Sequence, residues 1–107
     1  MNKNHLSNFL NGWIIGDFEP TLLKTKDFEV GLKIHSCDEQ IQPHLHVHVT
    51  EYNLMVEGQM EINGTVFSEG DIFVFSKGEK CYPKCLSNKS KVLCVKVPSV
   101  PSDKVQV

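Results

Sequence analysis

The sequence predicts an all-β fold, a small antiparallel β-barrel. Apolar residues mostly alternate with polar ones, and no segment sustains a helical period of 3.6 residues. Gly58, Gly70 and Gly78 separate the apolar runs at the spacing of an all-β sandwich or barrel. Asn63-Gly64 is a strong hairpin signal, because both residues tolerate a positive φ.

The strands are predicted in chain order from this alternation. An N-terminal segment up to about residue 12 is expected to form a short helix or a loose arm. Strands are then expected at 13–18, 28–34, 44–49, 52–56, 60–62, 65–67, 72–75 and 92–97. From Pro98 onward two prolines interrupt the chain, so this tail is expected to run extended over the surface.

Length and composition predict one soluble domain over 1–107, with its barrel at about 28–97. The 107 residues are 40% hydrophobic and 22% charged, with a formal net charge of −2. No apolar run approaches the roughly 20 residues of a membrane-spanning helix, and the N-terminus does not resemble a secretion signal. We therefore expect a cytoplasmic protein without a membrane partner.

The basic residues are all lysines, since arginine is absent. The guanidinium fork that contacts phosphate or guanine is missing, and the net charge is slightly negative, so nucleic-acid binding is disfavoured. In the expected reducing compartment the four cysteines are predicted to be free thiols or ligands rather than disulfides. They are Cys37, Cys81, Cys85 and Cys94.

Three histidines alternate with apolar residues on one predicted strand. Because side chains two apart point the same way, His44, His46 and His48 are predicted to share a face. Glu51 follows where the strand ends and can add a carboxylate oxygen. Imidazole nitrogens with a carboxylate suit Zn, Fe, Ni, Mn or Cu. His5 and His35 lie outside this group and are expected at the surface.

The spacing of these residues resembles the first motif of the cupins. His44-x-His46 is followed after four residues by Glu51 and after six more by Gly58. The second cupin motif begins Gly-Asp and continues through an apolar strand to Pro-Gly and a third histidine. This chain has Gly70-Asp71 and then Lys77-Gly78 at the Pro-Gly position, and Cys81 stands where the third histidine is expected. The resemblance covers roughly residues 28 to 97.

The resemblance implies a cupin jelly roll, a double-stranded β-helix of six to eight antiparallel strands. His44, His46 and Glu51 would project into its mouth and hold a divalent transition metal, Zn, Fe, Ni or Mn. Cys81 would complete the site as a thiolate, which favours Zn or Fe, or it would mark the loss of a ligand. His48 is the alternative fourth ligand.

Other residues could shape a ligand pocket. The segment 77–85 is rich in lysine and would attract an anionic small molecule, or it is simply a solvated turn. A nucleophilic Cys81 would need a histidine within hydrogen-bond distance. Aromatic residues near the barrel could line a pocket or fill the core. They are Trp13, Phe18, Phe28, Tyr52, Phe73, Phe75 and Tyr82.

Three functional hypotheses remain. The first is a metal-binding cupin that binds a small polar metabolite, sugar-derived or carboxylate, as an isomerase or dioxygenase-type enzyme. The second is a non-catalytic small-molecule or sugar-binding or regulatory module, which the missing third histidine favours. The third is a purely structural site, in which a zinc ion stabilises a small core. A homodimer is expected, because extended terminal segments offer strands to a neighbour and small barrels leave apolar sheet faces to cover.

Overall fold

The computed structural model describes residues 1–107 and confirms the all-β prediction. The helical content is one 3₁₀ turn at Leu6–Asn8, in the segment where a short helix or arm is predicted. No helix of the structure could span a lipid bilayer. The strands are β1 (Trp13–Ile15), β2 (Glu29–Ser36), β3 (His44–His46), β4 (Thr50–Glu57), β5 (Met60–Ile62), β6 (Thr65–Phe67), β7 (Ile72–Phe75), β8 (Pro83–Cys85), β9 (Lys89–Val97) and β10 (Lys104–Gln106).

Two walls of antiparallel strands enclose the barrel. One wall is a five-stranded sheet in the order β1-β2-β9-β4-β7. The other wall contains the three-stranded sheet β6-β5-β8 and the pair β10-β3. An isolated bridge fastens β3 to the loop before β8: the His44 N–H donates to the Cys81 carbonyl at 3.1 Å, and the Cys81 N–H donates back at 2.7 Å. The predicted third-histidine position therefore lies beside β3.

The predicted hairpin at Asn63-Gly64 is confirmed. Both residues have left-handed backbones, with φ of 52° at Asn63 and 83° at Gly64, and they join β5 to β6. These two turn residues set the register, so that Met60 pairs with Phe67 and Ile62 pairs with Thr65.

The prediction of one strand over 44–49 is wrong, because β3 ends at His46. A bend follows, and the buried carboxylate of Asp103 accepts the backbone N–H groups of His48 at 2.8 Å and Val49 at 3.1 Å. The alternation is broken there: Val49 is fully buried, whereas His48 is exposed. His48 therefore does not share the face of His44 and His46.

The C-terminal tail runs extended with mostly exposed residues, as predicted, and its last part also forms strand β10 of the barrel. Lys104 of β10 lies opposite His46, and Gln106 lies opposite His44. The short strand β8 is also unpredicted; it pairs with β5. Both strands are only three residues long, too short for alternation to indicate them. The tail thus adds residues to the mouth of the barrel.

The large sheet turns an apolar face outward, and its inward face carries charged as well as apolar side chains. Successive side chains in a strand point to opposite faces, and Lys33, Glu51 and Lys96 line the interior cavity. Their apolar neighbours in sequence therefore face away from the barrel. We call these residues the outer apolar face: Val30, Leu32, Ile34, Tyr52, Leu54, Ile72, Val74, Leu93 and Val95.

The apolar core of the barrel is small. Six buried residues form it: Met55, Met60, Ile62, Phe75, Cys81 and Val92. Phe67 and Phe73 pack against them, with ring centroids 4.6 Å apart. Several of these side chains also line the interior cavity, so the core forms the floor of that cavity.

Candidate metal centre

Strands β3 and β4 bring two histidines and a glutamate together. His44 and His46 point to the same side of β3, with ring centroids 5.4 Å apart, and Glu51 is the second residue of β4. One donor atom from each of the three residues lies within 4.8 Å of the other two. The structure therefore contains a cluster that could hold a metal ion.

His46 has two buried ring nitrogens without a hydrogen-bond partner. The residue is only 5% exposed, and its Nε2 lies 3.6 Å from Glu51 Oε2, which is beyond hydrogen-bond distance. Burying unpaired polar atoms is costly, so native structures rarely do it without a reason. A cation between His46 and Glu51 would satisfy the Nε2 atom, and the residues present fit such an ion.

His44 is oriented for the same purpose. Its Nδ1 donates a proton to the Gln42 carbonyl oxygen at 2.9 Å, so its Nε2 carries the free lone pair. Burial lowers the pKa of His44, and the positive charge of Lys104 lowers it further. A neutral imidazole with its second nitrogen held by a carbonyl is the usual state of a metal-binding histidine.

Glu51 is held as an anion. Burial by itself would raise the pKa of Glu51, but the close approach of His46, the hydrogen bond from Cys94 and the charge of Lys96 bring it to about 2. The Cys94 thiol donates to Glu51 Oε1 at 2.9 Å. Burial and the charge of Glu51 raise the pKa of Cys94, which keeps this donor protonated. The sequence did not predict this role of Cys94, because alternation along β9 does not indicate which of its faces lies inside.

Cys81 lies next to this cluster but outside the group of three donor atoms. It is 7% exposed, lines the same cavity and shares the backbone bridge with His44. Burial and the negative charge of Glu51 raise the pKa of the Cys81 thiol to about 12. Its thiol has no hydrogen bond to a histidine, so the base that a nucleophilic cysteine requires is missing.

The remaining histidines lie outside the cluster. His48 is exposed beyond the bend after β3, so the alternative of His48 as the fourth ligand is not supported. His5 is exposed and caps the 3₁₀ turn, as a surface residue should. His35 departs from the surface expectation, because it lies in the cavity wall with its Nδ1 2.7 Å from Glu39 Oε2.

An interior cavity of about 290 Å³ opens beside the cluster. Its floor is apolar and includes Met60, Ile62 and Phe75. Asn53 contributes a buried side-chain nitrogen without a hydrogen-bond partner. Of the aromatic candidates, Trp13, Phe73 and Phe75 line this cavity, Phe18 lines a separate smaller one, and Tyr52 and Tyr82 are exposed.

The basic residues of the cavity are not those of the lysine-rich segment 77–85. Lys77, Lys80 and Lys84 are exposed and do not line the cavity. The lysines that do line it are Lys33, Lys96 and Lys104, from β2, β9 and β10. Of the two interpretations of segment 77–85, the structure supports the solvated turn, and three separate strands supply the basic groups of the cavity.

Two imidazoles and a carboxylate leave coordination positions open on a bound divalent ion. The open positions would face the cavity, where a small ligand can enter. Such an arrangement can hold an oxygen of a ligand and polarise it.

Comparison with known proteins gives structural matches only. No protein-family model matches the chain, and no curated protein sequence matches it. A conserved protein with a double-stranded β-helix domain from Klebsiella pneumoniae superposes with a TM-score of 0.69 at 20% identity, over 78% of this chain and 72% of that one. An RmlC-like cupin from Methanocaldococcus jannaschii gives 0.63 at 17% identity, over 70% and 73%.

A longer structural relative covers nearly the whole chain. The DMSP lyase DddQ from Ruegeria pomeroyi superposes with a TM-score of 0.72 at 12% identity, over 94% of this chain and 54% of that one. At these identities the likeness establishes the fold. With its two walls of antiparallel strands, the chain has the double-stranded β-helix fold of the cupins.

Proposed function

We propose that the protein binds a divalent transition metal ion through His44, His46 and Glu51 and holds a small polar metabolite beside it. The observation that carries this proposal is His46, whose two ring nitrogens are buried and unpaired next to an ionised carboxylate. When bound, the ion would supply a Lewis acid for an oxygen of the ligand. The neighbouring side chains orient the donors: the Gln42 carbonyl fixes the His44 ring, and the Cys94 thiol fixes Glu51.

Cys81 is the candidate for a fourth ligand. It lies beside His44 in the same cavity, and a thiolate would favour Zn or Fe over Mn. To bind Cys81, a metal ion would have to displace the proton of its thiol, whose pKa is raised to about 12. The three-residue site therefore forms the core of the proposal.

The first candidate activity is enzymatic. The structural relative named as a DMSP lyase supports chemistry on a small molecule, whether a lyase, isomerase or dioxygenase-type reaction. The second candidate is a binding or regulatory module without turnover. Cys81 at the third-histidine position favours the second candidate, because it leaves one fewer imidazole at the site.

Metal analysis of the untagged protein tests the shared proposal. After zinc or iron supplementation, mass spectrometry should find close to one metal ion per chain, and the His46→Ala variant should lose it. His48→Ala is the matched control, since this exposed histidine lies two residues further along the same segment. Less than a tenth of the chains carrying metal would refute the proposal.

Chelation separates these candidates from a bracing zinc. None of the six core residues is one of the three proposed metal donors, so we expect the chelated protein to remain folded by circular dichroism. Unfolding on chelation would instead show that the ion mainly braces the domain. To detect an open coordination position, the site is loaded with Mn²⁺ and the paramagnetic relaxation of water protons is measured. Displacement of metal-bound water by a small ligand should reduce this relaxation.

We further propose that the protein works in a reducing compartment such as the cytoplasm. The four cysteines are free, two of them buried, which supports this location. Exposure to oxidant should therefore affect Cys37 first, because it is the exposed thiol.

A further inference from the structure

Three lysines from separate strands surround the cavity. Lys33 comes from β2, Lys96 from β9 and Lys104 from β10, and we call them the lysine cluster. Lys96 lies opposite Glu51 in the sheet register, and Lys104 lies opposite His46. The lysine cluster therefore borders the candidate metal centre on two sides.

No carboxylate neutralises the lysine cluster by an ion pair. The one lysine–carboxylate ion pair of the structure joins Lys24 to Glu19. Burial lowers the pKa of Lys33, and the positive charges of Lys104 and Lys96 lower it further. Three ammonium groups thus share one cavity with a single ionised carboxylate at the metal cluster.

Trp13 holds two of these lysines in position. Its ring centroid lies 5.1 Å from Lys33 Nζ and 4.7 Å from Lys96 Nζ, within the range of cation–π attraction. Gly31 makes room for the indole, because a Cβ there would lie 2.5 Å from Trp13 Cε3. Packing against Trp13 therefore positions Lys33 and Lys96, whereas Lys104 is exposed at the edge of the cavity.

We propose that the ligand of this cavity is a small organic dianion, with one anionic group at the metal centre and the second at the lysine cluster. The placement of the first anionic group, at the metal centre, rests on the proposed function. The placement of the second group, at the lysine cluster, does not. A bound divalent ion would add to the excess positive charge around the cavity, so a neutral ligand would leave it uncompensated. Asn53 offers a further buried N–H donor toward the same ligand.

The cavity limits the size of this ligand. Its volume of about 290 Å³ is at the lower end of the range for small-molecule sites. A dicarboxylate of a few carbons or a small phosphorylated acid fits, whereas an oligosaccharide does not. Both chemistries present oxygen anions that an ammonium group binds as a point charge.

Tryptophan fluorescence provides the test, because Trp13 is the only tryptophan of the chain. Zinc-loaded protein is titrated with malonate, inorganic phosphate and glucose. We expect saturable fluorescence changes with the anions and none with glucose. Lys96→Gln and Lys104→Gln should each weaken malonate binding about tenfold or more, as loss of a charge-assisted hydrogen bond does. Lys89→Gln is the control, since this exposed lysine begins the same strand as Lys96.

The outcomes separate this inference from the metal proposal. Zinc content is measured for every variant, so that a loss of metal is not mistaken for a loss of anion binding. If zinc does not bind but malonate still binds weakly and depends on Lys104, the lysine inference stands and the metal proposal fails. Tighter binding of phosphate than malonate assigns a phosphoryl group to the lysine cluster. Equal binding of glucose and malonate, or lysine variants equal to the wild type, would overturn the inference.

Discussion

The thiol of Cys94 lies 2.9 Å from Glu51 Oε1 and donates a hydrogen bond to it. The two residues are on neighbouring strands, β9 and β4, and both point into the barrel. The bond engages one carboxylate oxygen and leaves Oε2 toward His46. Cys94 therefore acts as a positioning residue for the candidate metal centre.

Replacement of Cys94 tests this role. Cys94→Val keeps an apolar side chain of similar size but removes the donor, and we expect zinc affinity to fall about tenfold or more. Cys94→Ser retains a donor and should stay within a few-fold of the wild type. Competition with a chromophoric chelator measures both affinities. Equal zinc affinity of the valine variant and the wild type would show that the hydrogen bond has no such role.

Replacement of Cys81 tests whether a fourth ligand is needed. We expect Cys81→Ser to bind zinc within about threefold of the wild type, since replacing a residue that does not coordinate the ion costs less zinc affinity than replacing a ligand. The reason is that the thiol lies outside the three-donor group and its pKa is raised to about 12. A large loss of zinc affinity in the folded variant would instead identify Cys81 as a ligand.

We expect Lys33 to lower the stability of the domain and to contribute to ligand binding. Its pKa is lowered from the ordinary value of 10.5, because burial and neighbouring lysines disfavour the charged form. Lys33→Met should therefore raise Tm by a few degrees at pH 7 and weaken malonate binding. Thermal melts with Lys89→Met as control measure the change, and a lower Tm in the Lys33 variant would contradict this account.

The same shift predicts a pH dependence. Between the lowered pKa of folded Lys33 and 10.5, the unfolded chain binds more protons than the folded one. The Lys33 contribution to stability therefore improves as pH rises through this window. Urea denaturation across the alkaline range should show this improvement in the wild type and not in Lys33→Met. Parallel curves for the two proteins would exclude the effect.

Asp103 fastens the C-terminal strand to the bend after β3. Its buried carboxylate accepts two backbone N–H groups, and Asp103→Ala leaves both donors unsatisfied. We expect a loss of about 1–3 kcal/mol in the free energy of unfolding. Malonate affinity should fall as well, because Lys104 is the next residue. Asp38→Ala, at an exposed position, is the control in urea denaturation, and equal stability of the two variants would contradict this role.

Local patterns in the sequence were sufficient for the fold class and for part of the candidate site. Alternation and the Asn63-Gly64 turn are local signals, and the structure confirms both. The spacing of His44, His46 and Glu51 indicated a cluster, because the two histidines lie on β3 and the glutamate lies on the next strand, β4.

Non-local partners explain what the sequence did not reveal. Alternation distinguishes the two faces of a strand but does not indicate which face is inside, so the inward turn of Lys33 and Lys96 was not predicted. The bend that removes His48 depends on Asp103, which is far away in the chain. Cys94 and Lys104 likewise reach the cluster through strand pairing that no local pattern encodes.

The apolar core forms the floor of the interior cavity, whereas charged side chains from strands β2, β9 and β10 line its wall. Replacing a residue of the cavity wall therefore leaves most side chains of the apolar core undisturbed. A scaffold divided in this way can acquire a different selectivity through few substitutions while it continues to fold.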